Sequence, residues 1–431
     1  MPPGFHLLIA TQFISALADN ALLIVTIALL NERGMPGWWA PLLKFAFTLS
    51  YVFLAPVIGP LADAMPKGRL MAWMNGVKIV GVAALGLGLH PVLAFAIVGF
   101  GAAAYAPAKY GLVTEIVGPD RLVAANGWIE VSVVCAALIG TMAGGLLVSD
   151  ALRSSGLAIA ADRWLTGIHF VPSSSLAFSL LALLVVYLFA MLMNLGVPAS
   201  GARYLASHIH PVALTRDFLR SNRLLWRDAD GGLSLAVTTL FWGVGATLQF
   251  AVLRWAVDVM DLTLDRAAYL QAAVAIGVVA GAALAGRHVG LSEAKRVLPF
   301  GVALGLLIPL IASSGSLWIA LPLLVAVGAV GGVLVVPLNA LLQHRGFQLL
   351  SAGRSIAIQG FNENLSILVM LAGYATLIAF DVPIVALMWG FGLAIAAAIL
   401  ALIARRAYGV TAAGPIAATH SEASLPRKVE R

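Results

Sequence analysis

Runs of about 20 or more mostly apolar residues recur twelve times along this chain, and no other feature limits its fold so tightly. A helix rises 1.5 Å per residue, so about 20 such residues cross the roughly 30 Å of bilayer hydrocarbon. By that measure spans fall at 5–30, 39–64, 70–90, 92–116, 121–149 and 174–196, and then at 234–259, 267–290, 297–314, 317–343, 352–380 and 383–404. Lipid offers no partners to a backbone, so each run reads as a helix bonded within itself. Only 10% of residues are charged and 61% are hydrophobic, against roughly 25% and about half in a soluble chain. The expected fold class is an all-α polytopic membrane protein with six spans, a break, and six spans. Met1 to His6 lack a basic n-region and a cleavage site, so the first run reads as a retained span rather than a signal peptide.

Charge sets the expected orientation. With the N-terminus inside, cytoplasmic segments gather Lys67, Arg69, Arg121, Arg287, Lys295, Arg296, Arg345, Arg354, Arg405, Arg406 and a basic tail. The other side has Arg33, Arg153, Arg163 and Arg266, offset by Asp150, Asp162, Asp258, Asp261, Asp265 and Asp381. Such asymmetry puts both termini in the cytoplasm. It also accounts for the net charge of +7 without a nucleic-acid partner.

The break divides the chain into a first six-helix bundle (1–197), a basic cytoplasmic linker (198–233), a second six-helix bundle (234–406) and a cytoplasmic tail without fixed structure (407–431). In the linker, Arg203, Arg216, Arg220, Arg223 and Arg227 interleave with Leu214, Phe218, Leu219, Leu224 and Trp226. That pattern suits a helix lying on an anionic membrane face. A solvated linker is the other reading.

The two halves echo each other. GFGAAAYAPAKYG around Pro107 matches GAVGGVLVVPLNA around Pro337, and LVAANG from Leu122 matches LLSAGR from Leu349. Gly59 followed by Lys67-Gly68-Arg69 matches Gly286 followed by Lys295-Arg296, so the offset is 227 to 230 residues. A repeat of this length fits two bundles with a site at their interface. The loop Gly59-Pro60-Leu61-Ala62-Asp63, with Lys67 and Arg69, resembles the glycine–aspartate–basic loop of the major facilitator superfamily. There Gly59 would allow close helix approach, and Asp63 would pair with basic groups to latch one gated state. An ordinary inside-positive loop is the plainer alternative.

Several chemistries lack their signatures. No Gly-Lys dipeptide occurs, so there is no P-loop. No His has an Asp five residues on, and no Cys/His spacing builds a metal site. The single Cys135 cannot form an intrachain disulfide. No cofactor is implied, and the chain reads as a transporter rather than an enzyme.

Ionisable residues deep in the spans are the candidate site, since each costs about 2.5–3.5 kcal/mol at the bilayer centre unless it faces a cavity or a partner. Asp19 lies roughly 21 Å into the first span, and Gln12 and Ser15 share its helix face. Glu363 sits at similar depth between Asn362 and Asn364. Lys109 lies nearer the cytoplasmic end, Asn126 and Glu130 share a face, and Asn339 and Gln343 form a second polar strip. The plainer reading is mutual neutralisation, for instance an Asp19–Lys109 pair, with Lys44 and Lys78 lining or interfacial. A cavity with both signs suits a zwitterionic headgroup, with carboxylates for an ammonium and lysine plus amides for a phosphate.

The segments Phe13-Ile14-Ser15-Ala16-Leu17-Ala18-Asp19-Asn20-Ala21-Leu22-Leu23, Ala106-Pro107-Ala108-Lys109-Tyr110-Gly111, Leu240-Phe241-Trp242-Gly243 and Val336-Pro337-Leu338-Asn339-Ala340-Leu341-Leu342-Gln343, with Glu363-Asn364, resemble the bacterial lysophospholipid transporter (LplT) family. The resemblance runs over nearly the whole chain outside the tail and the loop at 150–172. It implies facilitated import of lysophospholipids, chiefly lysophosphatidylethanolamine, from the outer to the inner leaflet of the bacterial inner membrane. A cytoplasmic acyltransferase/acyl-carrier-protein synthetase would then reacylate them. By position Asp19, Lys109 and Glu363 match the family's polar-site residues, and Asn20, Asn126, Glu130, Gln249, Asn339 and Gln343 complete the expected substrate contacts. The gate residues are Gly59, Asp63, Lys67 and Arg69. One departure is Gln249, where the family pattern has arginine; Arg254 lies roughly 140° further around that helix. The alternatives are a proton-coupled facilitator of a small solute or drug, using Asp19 or Glu363 as proton carrier, and a membrane enzyme or scaffold.

Overall fold

The structure is a computed structural model that describes residues 1–36, 39–167, 176–202, 204 and 210–412. Arg203 and residues 413–431, most of the expected tail, lie outside the described residues. The first half contains α1 (Pro3–Glu32), α2 (Trp39–Ala64), α3 (Lys67–Gly86), α4 (Pro91–Ile116), α5 (Pro119–Leu147), the short α6 (Asp150–Arg153) and α7 (Gly156–Gly167), and α8 (Ala177–Leu195). A separate helix, α9 (Pro211–Arg227), leads into the second half. That half contains α10 (Ala229–Asp258), α11 (Leu264–His288), a 3-10 turn (Leu291–Val297), α12 (Leu298–Ala312), α13 (Leu317–Leu349), α14 (Ala352–Ala379) and α15 (Ile384–Ala412).

Prolines open α4, α5 and α9 in the first turn, where a missing N–H costs nothing. Gly34 and Gly88 follow the C-caps of α1 and α3 with φ of 64° and 98°, a conformation that closes a helix readily without a side chain.

Eleven spans among the described residues are long and apolar enough to cross a membrane. α3 supplies the twelfth helix of the bundle, and its polar content comes from Lys67, Arg69, Asn75 and Lys78. α6 and α7 fill part of the stretch expected to be a loop at 150–172, and α15 continues six residues past the expected end of the second bundle at 406. One apolar core is built wholly from residues between Ala18 and Tyr187, and another from residues between Val237 and Ile399. Within the second half, α11 and α13 touch backbone to backbone. A Cβ on Gly281 would stand 2.0 Å from the Ala329 carbonyl oxygen, and one on Gly328 2.0 Å from that of Val274. A third core joins the two halves, with Ala282, Ala285, Val335, Val336, Ala340 and Ala357 packed among residues of α1 to α5.

Candidate functional site

The halves close on each other at the end that carries Lys67, Arg121, Arg287, Arg345 and Arg354, the basic end. Gly59 lets α2 lie on α14, since a Cβ there would stand 3.0 Å from Arg354 Cα and 3.1 Å from Ala357 Cβ. Gly286 makes the repeat-related contact of α11 on α5, with its would-be Cβ 3.4 Å from Gly127 Cα and 3.5 Å from Ala124 Cα. The offset of 227 residues linking Gly59 to Gly286 carries Gly127 onto Arg354 as well, so one contact is used twice about a pseudo-two-fold axis.

Asp63 crosses the same seam with the basic groups Lys67 and Arg354 within electrostatic reach, but its hydrogen bonds go to neutral donors. Its carboxylate accepts from the Gly353 N–H at 2.8 Å and from the Ser351 hydroxyl, so it holds the start of α14. Lys67 pairs instead with Glu115 at 2.6 Å, inside the first half. Glu115 also accepts from the Ser200 and Tyr204 hydroxyls, both at 2.5 Å, and the Lys67 ammonium lies 5.0 Å over the Tyr204 ring. Arg69 is exposed. The second half secures its basic end differently. Arg345 donates to both oxygens of Asp228, at 3.2 and 2.6 Å, and Lys295 pairs with Asp230 at 2.7 Å. Burial alone would raise the Asp228 carboxyl. The Arg345 guanidinium and the Gly231 N–H outweigh it and hold the group below its ordinary value.

Next along the seam, Asn126 of α5 and Gln343 of α13 donate to each other reciprocally at 2.9 and 2.8 Å, and both are buried. In this conformation these two expected headgroup ligands bind one another. Asn126 also donates to the Leu122 carbonyl at 3.0 Å, whereas Gln343 has no further hydrogen-bond partner among the described residues.

Deeper still, charged groups of both halves converge. Lys109 donates to Gln12 Oε1 at 3.3 Å and lies 4.1 Å over the Tyr110 ring, and it stands close enough to Glu130 for the two charges to interact. Gln12 in turn donates to Ser132 at 2.6 Å. From the second half, Gln359 Nε2 donates to Asn339 Oδ1 at 2.9 Å and to Glu363 Oε1 at 2.8 Å. Glu363 is within electrostatic reach of Glu130 across the interface. Glu130 accepts no hydrogen bond from a described residue, and the buried Oε1 of Gln359 is likewise without a donor. Gln359, one helical turn before Glu363, could have been found from that spacing.

Asp19 belongs to a separate network, and its partner is not Lys109. Lys78, 1% exposed, bonds Asp19 Oδ2 at 2.7 Å and Ser15 at 3.0 Å, and Tyr187 donates to Asp19 Oδ1 at 2.7 Å. Ser15 donates to Asn75 at 2.7 Å, and the Lys78 ammonium sits 5.3 and 5.7 Å from the Tyr105 and Tyr187 rings. Lys78 is therefore a core group rather than a lining or interfacial one, while Lys44 is exposed. Asn20 is half-buried and donates to the Ala16 carbonyl at 2.8 Å. Gln249 is exposed, and its carbonyl accepts from Gln271 at 3.0 Å; Arg254 is paired with Asp258 at 3.0 Å. Asn362 turns away from the interior to α9, and Asn364 bonds its own helix at Gly360.

Two repeated six-helix halves, sealed at one end and sharing charged and amide side chains at mid-depth, are the architecture of a secondary transporter. Residues 8–369 match the family described as Major Facilitator Superfamily. Proteins named lysophospholipid transporter LplT, from Yersinia pestis (strain Pestoides F) and Yersinia pseudotuberculosis serotype I (strain IP32953), are 40% identical over 380 residues, covering 88% of this chain and 87% of theirs. The chain thus belongs to the Major Facilitator Superfamily and, within it, to the lysophospholipid transporter family. In fold it is similar to a bacterial homologue of the iron transporter ferroportin in an outward-facing state, with a TM-score of 0.68 at 15% identity, covering 94% of this chain and all of that one. It is similar also to FucP in the outward conformation, with a TM-score of 0.67 at 16% identity and coverage of 92% and 98%.

Proposed function

We propose that this protein carries lysophospholipids, chiefly lysophosphatidylethanolamine, from the outer to the inner leaflet of a bacterial inner membrane by facilitated transport. The observation that carries the reading is the run of charges from Lys109 to Glu130 in the first half and from Glu130 across the interface to Glu363 in the second. A phosphate takes the lysine and its neighbouring amides, and an ammonium takes the carboxylates. The single acyl chain stays in lipid through a lateral opening, since moving a second would add apolar surface to be kept out of the polar cavity. With the basic end cytoplasmic by the positive-inside rule, the closed seam bars the inner side and the headgroup enters from outside. The product lies where an acyltransferase/acyl-carrier-protein synthetase can reacylate it. Gln249 in place of arginine leaves the phosphate to depend more on Lys109.

Purified protein in liposomes is expected to move lysophosphatidylethanolamine without an imposed ion gradient, and Lys109→Ala is expected to slow it. Absence of lysolipid movement across a panel of headgroups would overturn the proposal. The proximity of Glu130 and Glu363 favours proton coupling as the second reading. Transport that collapses with an uncoupler while substrate remains accessible would select it.

A further inference from the structure

The four arginines of α9 fall on one stripe. Arg216, Arg220, Arg223 and Arg227 are spaced four, three and four apart, within about 60° of arc at 100° per residue. All four are exposed, and none forms an ion pair or side-chain hydrogen bond among the described residues. Beside the stripe runs an apolar flank, Val212, Leu219 and Trp226, exposed by 70%, 57% and 41%. The opposite face is docked on the protein: Phe218 and Leu225 are buried with Ala55 of α2 and Ile358 of α14. Phe218 meets Phe361 edge to face at 5.1 Å, Trp226 Nε1 donates to Asn362 at 3.1 Å, and Asn362 donates to Asn222 at 2.9 Å. α9 thus lies across the α2–α14 seam and grips the turn of α14 that carries Glu363.

We infer that α9 is a seam strap held down by anionic phospholipid. Its arginine stripe binds headgroup phosphates of the leaflet at the basic end, and its apolar flank enters the acyl boundary beside them. Unpaired cations on one stripe call for an anion, and an exposed apolar flank in register with them fits a lipid surface better than a soluble polyanion. Because the docked face spans both halves, anionic lipid stabilises the conformation closed at the basic end.

The test is hydrogen–deuterium exchange of residues 211–227 in the full-length protein, in nanodiscs of phosphatidylcholine alone or with roughly one-third phosphatidylglycerol. Exchange of α9 is expected to slow several-fold with phosphatidylglycerol and to lose that protection as salt rises. Replacing all four arginines with glutamine should abolish the lipid effect, and replacing them with lysine should retain it. These side chains are exposed and, among the described residues, unpaired, so the variants are expected to keep the fold. Equal exchange in both nanodiscs overturns the inference, as does a lipid effect that survives the glutamine variant. Protection gained from soluble polyglutamate but not from phosphatidylglycerol also overturns it, and reassigns the stripe to an acidic protein. The readout is independent of substrate, so it stands or falls apart from lysolipid transport.

Discussion

The reciprocal Asn126–Gln343 pair gives a prediction in which the two single mutants differ in size. Opening the basic end must separate α5 from α13, so the pair stabilises only the closed state. Hydrogen bonds between membrane helices average about 0.6 kcal/mol and reach roughly 1.7, while a buried polar group left without a partner costs about 1–3 kcal/mol. Gln343→Met removes two bonds but strands one atom, Asn126 Oδ1, because Asn126 Nδ2 keeps its bond to Leu122. The loss is about 2 kcal/mol, or roughly thirtyfold in the closed-to-open ratio. Asn126→Ala strands both ends of Gln343 and should cost about 3–4 kcal/mol, beyond a hundredfold. The double mutant strands nothing and should fall back to about 1 kcal/mol. Spin labels at Arg121 and Arg287, exposed on the two halves, would report the open fraction by pulsed electron resonance in a Cys135→Ser background. The reasoning fails if Gln343→Met opens the seam as much as Asn126→Ala, or if the double mutant is as open as the worse single.

Lys78→Met leaves Asp19 without its cation and should lower stability by about 3–5 kcal/mol, read as loss of folded protein in detergent, with Asp19→Asn restoring part of it. Gly59→Val puts a branched side chain against the Arg354 backbone and should favour the state open at the basic end; unchanged labelling of a seam cysteine from that side would contradict it. The Asp228 carboxyl is depressed in the folded state, so its contribution is complete above about pH 4 and is lost as pH falls through the lowered value. Thermal unfolding followed down the acid range should therefore show a slope that Asp228→Asn flattens.

Fold class was legible because lipid imposes a length and an apolar composition on every span, and because duplication left Pro107 and Pro337 in matching helices. Gly59 and Gly286 were legible for the same reason. Partner choice was not. Asp19 takes Lys78 rather than Lys109 because rotational phase and tilt decide which of two cations on different helices arrives, and neither is written in spacing along one chain. Asn126 and Gln343 carry the polarity of ligands, yet their depth puts them in the sealed seam. Glu115 stood in plain view at the end of a span and escaped notice, since its partner Lys67 begins another helix. Asp63 reads from its loop as a partner for basic groups, whereas its hydrogen-bond donors are a backbone N–H and a hydroxyl.

The Lys78–Asp19 bond also bears on biogenesis. A lysine near the middle of a nascent span resists partitioning from the translocon by about 2.5–3.5 kcal/mol, and α3 carries Asn75 on the same helix and two further cations at its start. Left alone, α3 is a poor substrate for insertion, and a glycosylation-mapped fragment ending after it should integrate better with α1 present than without. α1 leaves the ribosome first, so Asp19 is waiting when Lys78 arrives 59 residues later. Tyr187 completes the cage only after α8 is made, 168 residues behind Asp19. Substitutions at Asp19 should thus lower the yield of integrated protein before they alter any finished transporter.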